Sequence, residues 1–290
     1  MATVRPVAVT TLPVRLPVPL AGLAATAYHG DVYLFGGSGP QGFSDRIYRF
    51  DPRTGQFQAA GLLPQALHDA AAVPGSGGLL LCGGGMDTIL PTVLRFTPGQ
   101  AQAETVANLP QPLADLAAAQ LGSTSYCMGG YTGTVYNRAV YAVDTGSGAA
   151  PAVAGTLPQG VRYAATAVLD GRIWLAGGQL ASGQPTAAIQ WFAADRTGAT
   201  ALLPVPLFRA SGAVLGGQML VIGGCTTLVH PLARIWGWVP PAGKPRVVGR
   251  LPQPVCWAAA ATLGHTAYLF GGQGPGGATE TRVIAIQLRG

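Results

Sequence analysis

The chain of 290 residues carries 17 Lys and Arg against 11 Asp and Glu, a formal net charge of +6, and is 49% apolar but only 10% charged. All the Lys and Arg residues except Lys244 are arginines, scattered without the cluster or stripe that tracks a phosphate backbone, so nucleic acid is excluded as the expected partner. No apolar run reaches 18 residues, which excludes a membrane-spanning helix, and prolines at 6, 13, 17 and 19 interrupt any signal-peptide core. A cytoplasmic location is therefore expected, although a chain trimmed of an export signal would read the same.

In chain order, Val4 to Thr10 is a strand-like run that precedes the main pattern. A single phrase then recurs six times. A Leu-Pro pair opens it at Leu16, Leu63, Leu109, Leu157, Leu203 and Leu251, and a Gly-Gly pair closes it at Gly36, Gly83, Gly129, Gly177, Gly223 and Gly271. The distance from Leu to first Gly is 20 residues in every copy, and the copies recur every 46 to 48 residues. A fixed period of this size signals a repeat architecture. Each copy holds an Ala-rich run such as Ala70 to Val73, a Gly turn, a second apolar run such as Leu79 to Cys82, a Gly-rich loop, and an alternating run such as Ile47-Tyr48-Arg49-Phe50. A turn such as Asp51 to Gly55 and a last short run complete it. Four short strands per copy with no helical period predict an all-β propeller of six four-stranded antiparallel blades. The expected organisation is a single domain over 1–290, with blades at about 16–62, 63–108, 109–156, 157–202, 203–250 and 251–290. The last copy runs out one strand short, so residues 1–15 are expected to supply its outer strand and close the ring, which removes two free sheet edges.

The double glycine after an apolar strand, the run Leu67-His68-Asp69-Ala70-Ala71-Ala72 before it and the repeat length resemble the kelch repeat over nearly the whole chain. A WD40 assignment is disfavoured because no Trp-Asp pair occurs. Aromatics after the glycines survive only in the third strand, at Tyr48, Tyr141, Trp191 and Trp236, in the manner of divergent bacterial kelch-like proteins.

Counting each Leu of Leu-Pro as zero, the inner strand is expected at positions 5 to 10. Position 8 is small throughout: Ala24, Ala71, Ala117, Ala165, Ser211 and Ala259. Position 6 varies: Gly22, Asp69, Asp115, Tyr163, Arg209 and Trp257. Position 5 varies too, and includes His68, Arg162, Phe208 and Cys256. A uniform scaffold that differs at one ring of positions places its specificity there. The expected ligand site is thus the channel mouth, formed by Asp69, Asp115, Tyr163, Arg209, Trp257, His68, Arg162 and Phe208, with loops after each diglycine on the same face. The kelch resemblance implies the same place: ligand-contacting arginines of peptide-binding kelch adaptors lie 14 residues before the first glycine, the position of Arg209. The competing reading is structural, with the acids capping backbone N–H groups, Arg209 paired to an acid, and Tyr163 and Trp257 plugging the channel.

No zinc spacing, phosphate loop or nucleophile elbow occurs, so no metal, cofactor or catalytic residue is expected. His68 and Asp69 are adjacent, and on a strand they would point to opposite faces. Cys82 and Cys127 read as buried free thiols. Cys225 and Cys256 lie in loops that adjoining blades bring together, and free thiols are favoured over a disulfide there in a reducing compartment. The expected function is a non-catalytic, monomeric binding module for a small carbohydrate, a short peptide or a protein partner. The runner-up is a sugar mutarotase or epimerase, because kelch-like six-bladed propellers include a sialic acid mutarotase in which an acid and an arginine near the axis serve the sugar. A structural or assembly scaffold is the third class.

Overall fold

A computed structural model describes residues 3–146, 149–194 and 196–290. Six four-stranded antiparallel sheets stand around one axis. Their inner strands are Ala24–Tyr28, Ala71–Gly75, Ala117–Leu121, Ala165–Leu169, Ser211–Leu215 and Ala259–Leu263. Each blade then runs outward in chain order, except the last. There Val7–Arg15 pairs antiparallel with Arg282–Leu288 and supplies the outer strand, so the ring closes through the N-terminal segment. No α-helix occurs among the described residues, and none is long and apolar enough to cross a membrane.

The core is divided rather than central. Six apolar clusters form, each sandwiched between neighbouring blades, including the last and first. Every strand is therefore buried on both faces near the axis, which explains why the second strands Asp31–Phe35 and Gly78–Cys82 are buried at every residue instead of alternating. Outer strands twist away: the pairing of third to fourth strand carries a register shift in all six blades.

The diglycine is the clasp between blades. In each copy the second glycine donates its N–H to the carbonyl at position 4 of the next blade, as Gly37 to Leu67 and Gly84 to Leu113, and Gly272 to Leu20 joins the last blade to the first. The first glycine has φ near +60° in every copy, and a Cβ on it would fall on that same carbonyl oxygen. Glycine is thus required twice over, for backbone conformation and for closeness of approach.

Two expectations fail here. The inner strands begin at position 8, not position 5, because position 6 leaves the extended region altogether. Cys82 and Cys127 are not free thiols: they are joined as a disulfide between blades 2 and 3. The sequence showed both at the end of a second strand, but the lateral contact between blades that brings them together has no local signal.

Candidate functional site at the axial ring

All six position-6 residues adopt left-handed backbone: Gly22 at φ +61°, Asp69 at +58°, Asp115 at +61°, Tyr163 at +59°, Arg209 at +54° and Trp257 at +59°. The conformation turns each peptide unit toward its neighbour in the next blade. Gly22 N–H donates to Trp257 O, Asp69 to Gly22, Asp115 to Asp69, Tyr163 to Asp115, Arg209 to Tyr163 and Trp257 to Arg209, at 2.8–3.0 Å. Six backbone hydrogen bonds close a circle around the axis. Left-handed backbone costs a non-glycine residue roughly 1–2 kcal/mol, least for Asp and most for bulky side chains. Gly22 shows that glycine fits this ring, so Tyr163, Arg209 and Trp257 are strained residues kept for their side chains.

Those side chains converge. Asp69 is 8% exposed and accepts three hydrogen bonds: from Trp257 Nε1 at 2.5 Å, from Tyr163 OH at 3.2 Å and from His68 Nδ1 at 2.8 Å. Tyr163 OH in turn accepts from Arg209 Nη2 at 3.1 Å. The Arg209 guanidinium lies 4.1 Å from the Trp257 ring centroid and 4.6 Å from that of Tyr163, a double cation–π contact. Its Nε is buried and has no hydrogen-bond partner. Asp115, also 8% exposed, accepts from Arg162 Nη1 at 3.2 Å. Arg162 Nε donates to Gln179 Oε1 at 2.8 Å, and the guanidinium stacks near Tyr131, Tyr136 and Tyr163. The ring residues and those following them line a cavity of about 130 Å³.

Electrostatics separate the groups. Burial pushes the Asp115 carboxyl well above the ordinary carboxylate range, and the negative charge and hydrogen bond of Asp69 add to this against the opposing pull of Arg162. Burial, then both carboxylates, push the Tyr163 hydroxyl up, so it stays protonated. Burial opposes the charge of Arg209, but Tyr163 and Asp69 outweigh it and hold the guanidinium above its ordinary value. The cluster therefore offers a cation with an unused N–H at a cavity also lined by a carboxyl whose ionisation burial and Asp69 oppose.

Of the eight residues expected at the mouth, Asp69, Asp115, Tyr163, Arg209 and Trp257 line the cavity, and His68 and Arg162 bond to its two acids. Phe208 lies beneath, 2% exposed, packed with Cys225 and Cys256. His68 and Asp69 do meet side chain to side chain, because the left-handed turn at Asp69 removes the strand alternation that would part them. Arg209 contacts Tyr163 and Trp257 rather than an acid. Position-5 backbones bridge to the loops after the diglycines, as Arg162 to Gln179 and Phe208 to Cys225, so those loops gather at this end of the axis. Sequence reading missed Phe43, stacked on His68 at 4.7 Å, and Tyr136, beside Arg162. Both sit seven residues beyond a first glycine, a shared offset that could have found them.

Six antiparallel blades, an N-terminal closing strand and diglycine clasps define a kelch-type six-bladed β-propeller. A family model described as Kelch motif matches residues 19–60, within the first blade. The fold is similar to that in the solved structure of YjhT, with a TM-score of 0.85, 17% sequence identity, and coverage of 96% of this chain and 97% of that chain. No curated protein sequence matches the chain.

Proposed function

We propose that the chain is a non-catalytic binding module whose axial site takes a small carboxylate-bearing ligand, either an acidic sugar or an acidic side chain of a short peptide. The observation that carries this reading is Arg209: a charged guanidinium fixed between two aromatic rings, at a cavity, with one buried N–H unpartnered. A planar, preorganised fork of this kind suits a carboxylate. Burial and Asp69 oppose ionisation of Asp115, which lessens the repulsion a second anion would exert on the ligand. Trp257 offers no open stacking face on the side that Arg209 covers, which favours recognition through the carboxylate over simple ring stacking.

The test is a thermal-shift panel of sialic acid, neutral monosaccharides, uronic acids and acidic peptides, run on the parent chain and on Arg209→Ala. A ligand at 100 times its dissociation constant stabilises the fold by about 2.7 kcal/mol. Losing one charged hydrogen-bonding partner weakens binding by roughly 10- to 100-fold, so the stabilisation at that concentration should drop from about 2.7 to between about 1.4 and about 0.4 kcal/mol in Arg209→Ala. A hit among neutral sugars alone, unaffected by the substitution, would place recognition elsewhere.

One observation favours the second reading, a sugar mutarotase. Burial and the charge of Asp69 raise the proton affinity of the Asp115 carboxyl, which suits it to act as an acid at a site that holds a second carboxyl 46 residues away in sequence. Mutarotation needs a proton delivered to the ring oxygen and another taken from the anomeric hydroxyl. NMR exchange between the anomers of any sugar hit decides it. Acceleration over buffer that falls in Asp115→Asn supports the enzyme, and the buffer rate supports the binder.

A further inference from the structure

Two thiols lie directly against the axial cluster without joining its hydrogen bonds. Cys225 follows the fifth diglycine, and Cys256 precedes Trp257. They are 0% and 3% exposed and share one apolar cluster with Phe208, against which Tyr163 and Trp257 pack. Paired backbone bonds fix both. Cys225 exchanges N–H and C=O with Phe208 at 2.8 and 3.0 Å, and Cys256 does so with Gln273 at 3.0 and 2.7 Å. The two cysteines come from adjoining blades and meet in this one buried cluster, where Cys225 Sγ reaches Phe208 O at 3.7 Å. The hydrogen bond from Cys225 holds the Cys256 thiol below its ordinary range, with Arg209 helping and burial opposing, whereas the same bond and burial push Cys225 up. Two thiols in one buried cluster can serve as the attacking and the resolving sulfur of a disulfide exchange.

We propose that Cys225 and Cys256 form a redox modification site, a dithiol that closes reversibly to a disulfide between blades 5 and 6 by exchange with a small-molecule disulfide. The Cys256 thiolate attacks one sulfur of the small disulfide and breaks its S–S bond, releasing the first small thiol. Cys225 then gives up its proton and attacks Cys256 Sγ in the mixed disulfide, releasing the second. One S–S bond forms in the protein and one breaks in the oxidant. Two electrons pass to the oxidant, and the two protons of the dithiol end on the released thiols. The closed bond would tie the loop that carries Cys225 to the segment that carries Trp257. Cys82 and Cys127 already join blades 2 and 3 in this way elsewhere in the ring.

The experiment is equilibration of the folded protein across a range of oxidised and reduced glutathione, followed by acid quench, alkylation in denaturant, trypsin digestion and mass spectrometry. Cys225 falls in peptide 210–234 and Cys256 in peptide 251–282. The linked pair should accumulate along a two-electron curve and disappear with dithiothreitol. Cys225→Ser should instead leave glutathione on Cys256. A parallel series just below the unfolding midpoint removes access as the limit. The proposal falls if both peptides stay separately alkylated in both series, if Cys256 carries glutathione without linkage in the parent chain, or if either cysteine links to Cys82 or Cys127 instead.

Discussion

Gly83→Ala should lower the thermal midpoint of this propeller far more than Gly122→Ala. The two glycines share a left-handed backbone, φ +62° and +64°, so the conformational cost of roughly 1–2 kcal/mol is common to both. They differ in what a Cβ meets. At Gly122 it meets nothing within 4 Å, whereas at Gly83 it falls on the Leu113 carbonyl oxygen of the next blade. That oxygen also accepts the Gly84 N–H bond, so relieving the clash means lengthening the clasp. Overpacking costs about 1–3 kcal/mol and a lost hydrogen bond about 1 kcal/mol. Their sum shifts the midpoint by roughly 4–16 °C beyond the Gly122 variant at about 2–4 °C per kcal/mol. Calorimetry of the two variants side by side checks this. Equal midpoints would mean that the blades can part at the clasp without cost, and that the diglycine is kept for its backbone conformation alone. The same logic applies at Gly271, where the obstacle is Leu20 and the joint is the closure of the ring.

The repeat was legible because its signals are local. Leu-Pro, the small residue at position 8 and the diglycine each answer to a short-range constraint, and their even spacing counts the blades. The shortfall at the end of the sixth copy pointed to closure by the N-terminal strand, and Val7–Arg15 occupies that place. The ring of candidate residues was legible as a break in uniformity. Its geometry was not. Nothing about Tyr163, Arg209 or Trp257 advertises left-handed backbone, a region where bulky residues are rare. The conformation is imposed by a circle of six hydrogen bonds, each between residues of different blades. Reading position 6 as strand therefore placed it on the face of position 8 and parted His68 from Asp69, which in fact bond at 2.8 Å. The Cys82–Cys127 disulfide was hidden for a related reason: lateral register between blades is set by packing across 45 residues of chain.

Asp115→Asn should stabilise the protein at neutral pH and leave it unchanged near pH 4. The carboxyl of Asp115 is raised above its ordinary value of 3.8 by burial first and by Asp69 second. The folded chain therefore retains a proton that the unfolded chain has released. Stability must fall as pH rises through the window from 3.8 up to the folded-state value, by as much as about 1.4 kcal/mol per pH unit, and stay reduced above it. Asparagine has the same shape and cannot ionise. Its amide still offers an oxygen to Arg162 and an N–H toward Asp69, so the local contacts survive while the pH-dependent loss does not. Melting curves of both chains from pH 4 to pH 8 should start together and diverge, the variant lying higher at every pH above the window. The opposing outcome has a definite cause. If the ion pair from Arg162, at 3.2 Å, outweighs burial and Asp69, the variant will be the less stable one at pH 7 and the proton assigned to Asp115 is absent. Should the variant be more stable yet lose its ligand response, the buried acid pair is a stability defect kept for binding. That is the same balance that leaves Tyr163, Arg209 and Trp257 in backbone conformations which glycine would adopt freely.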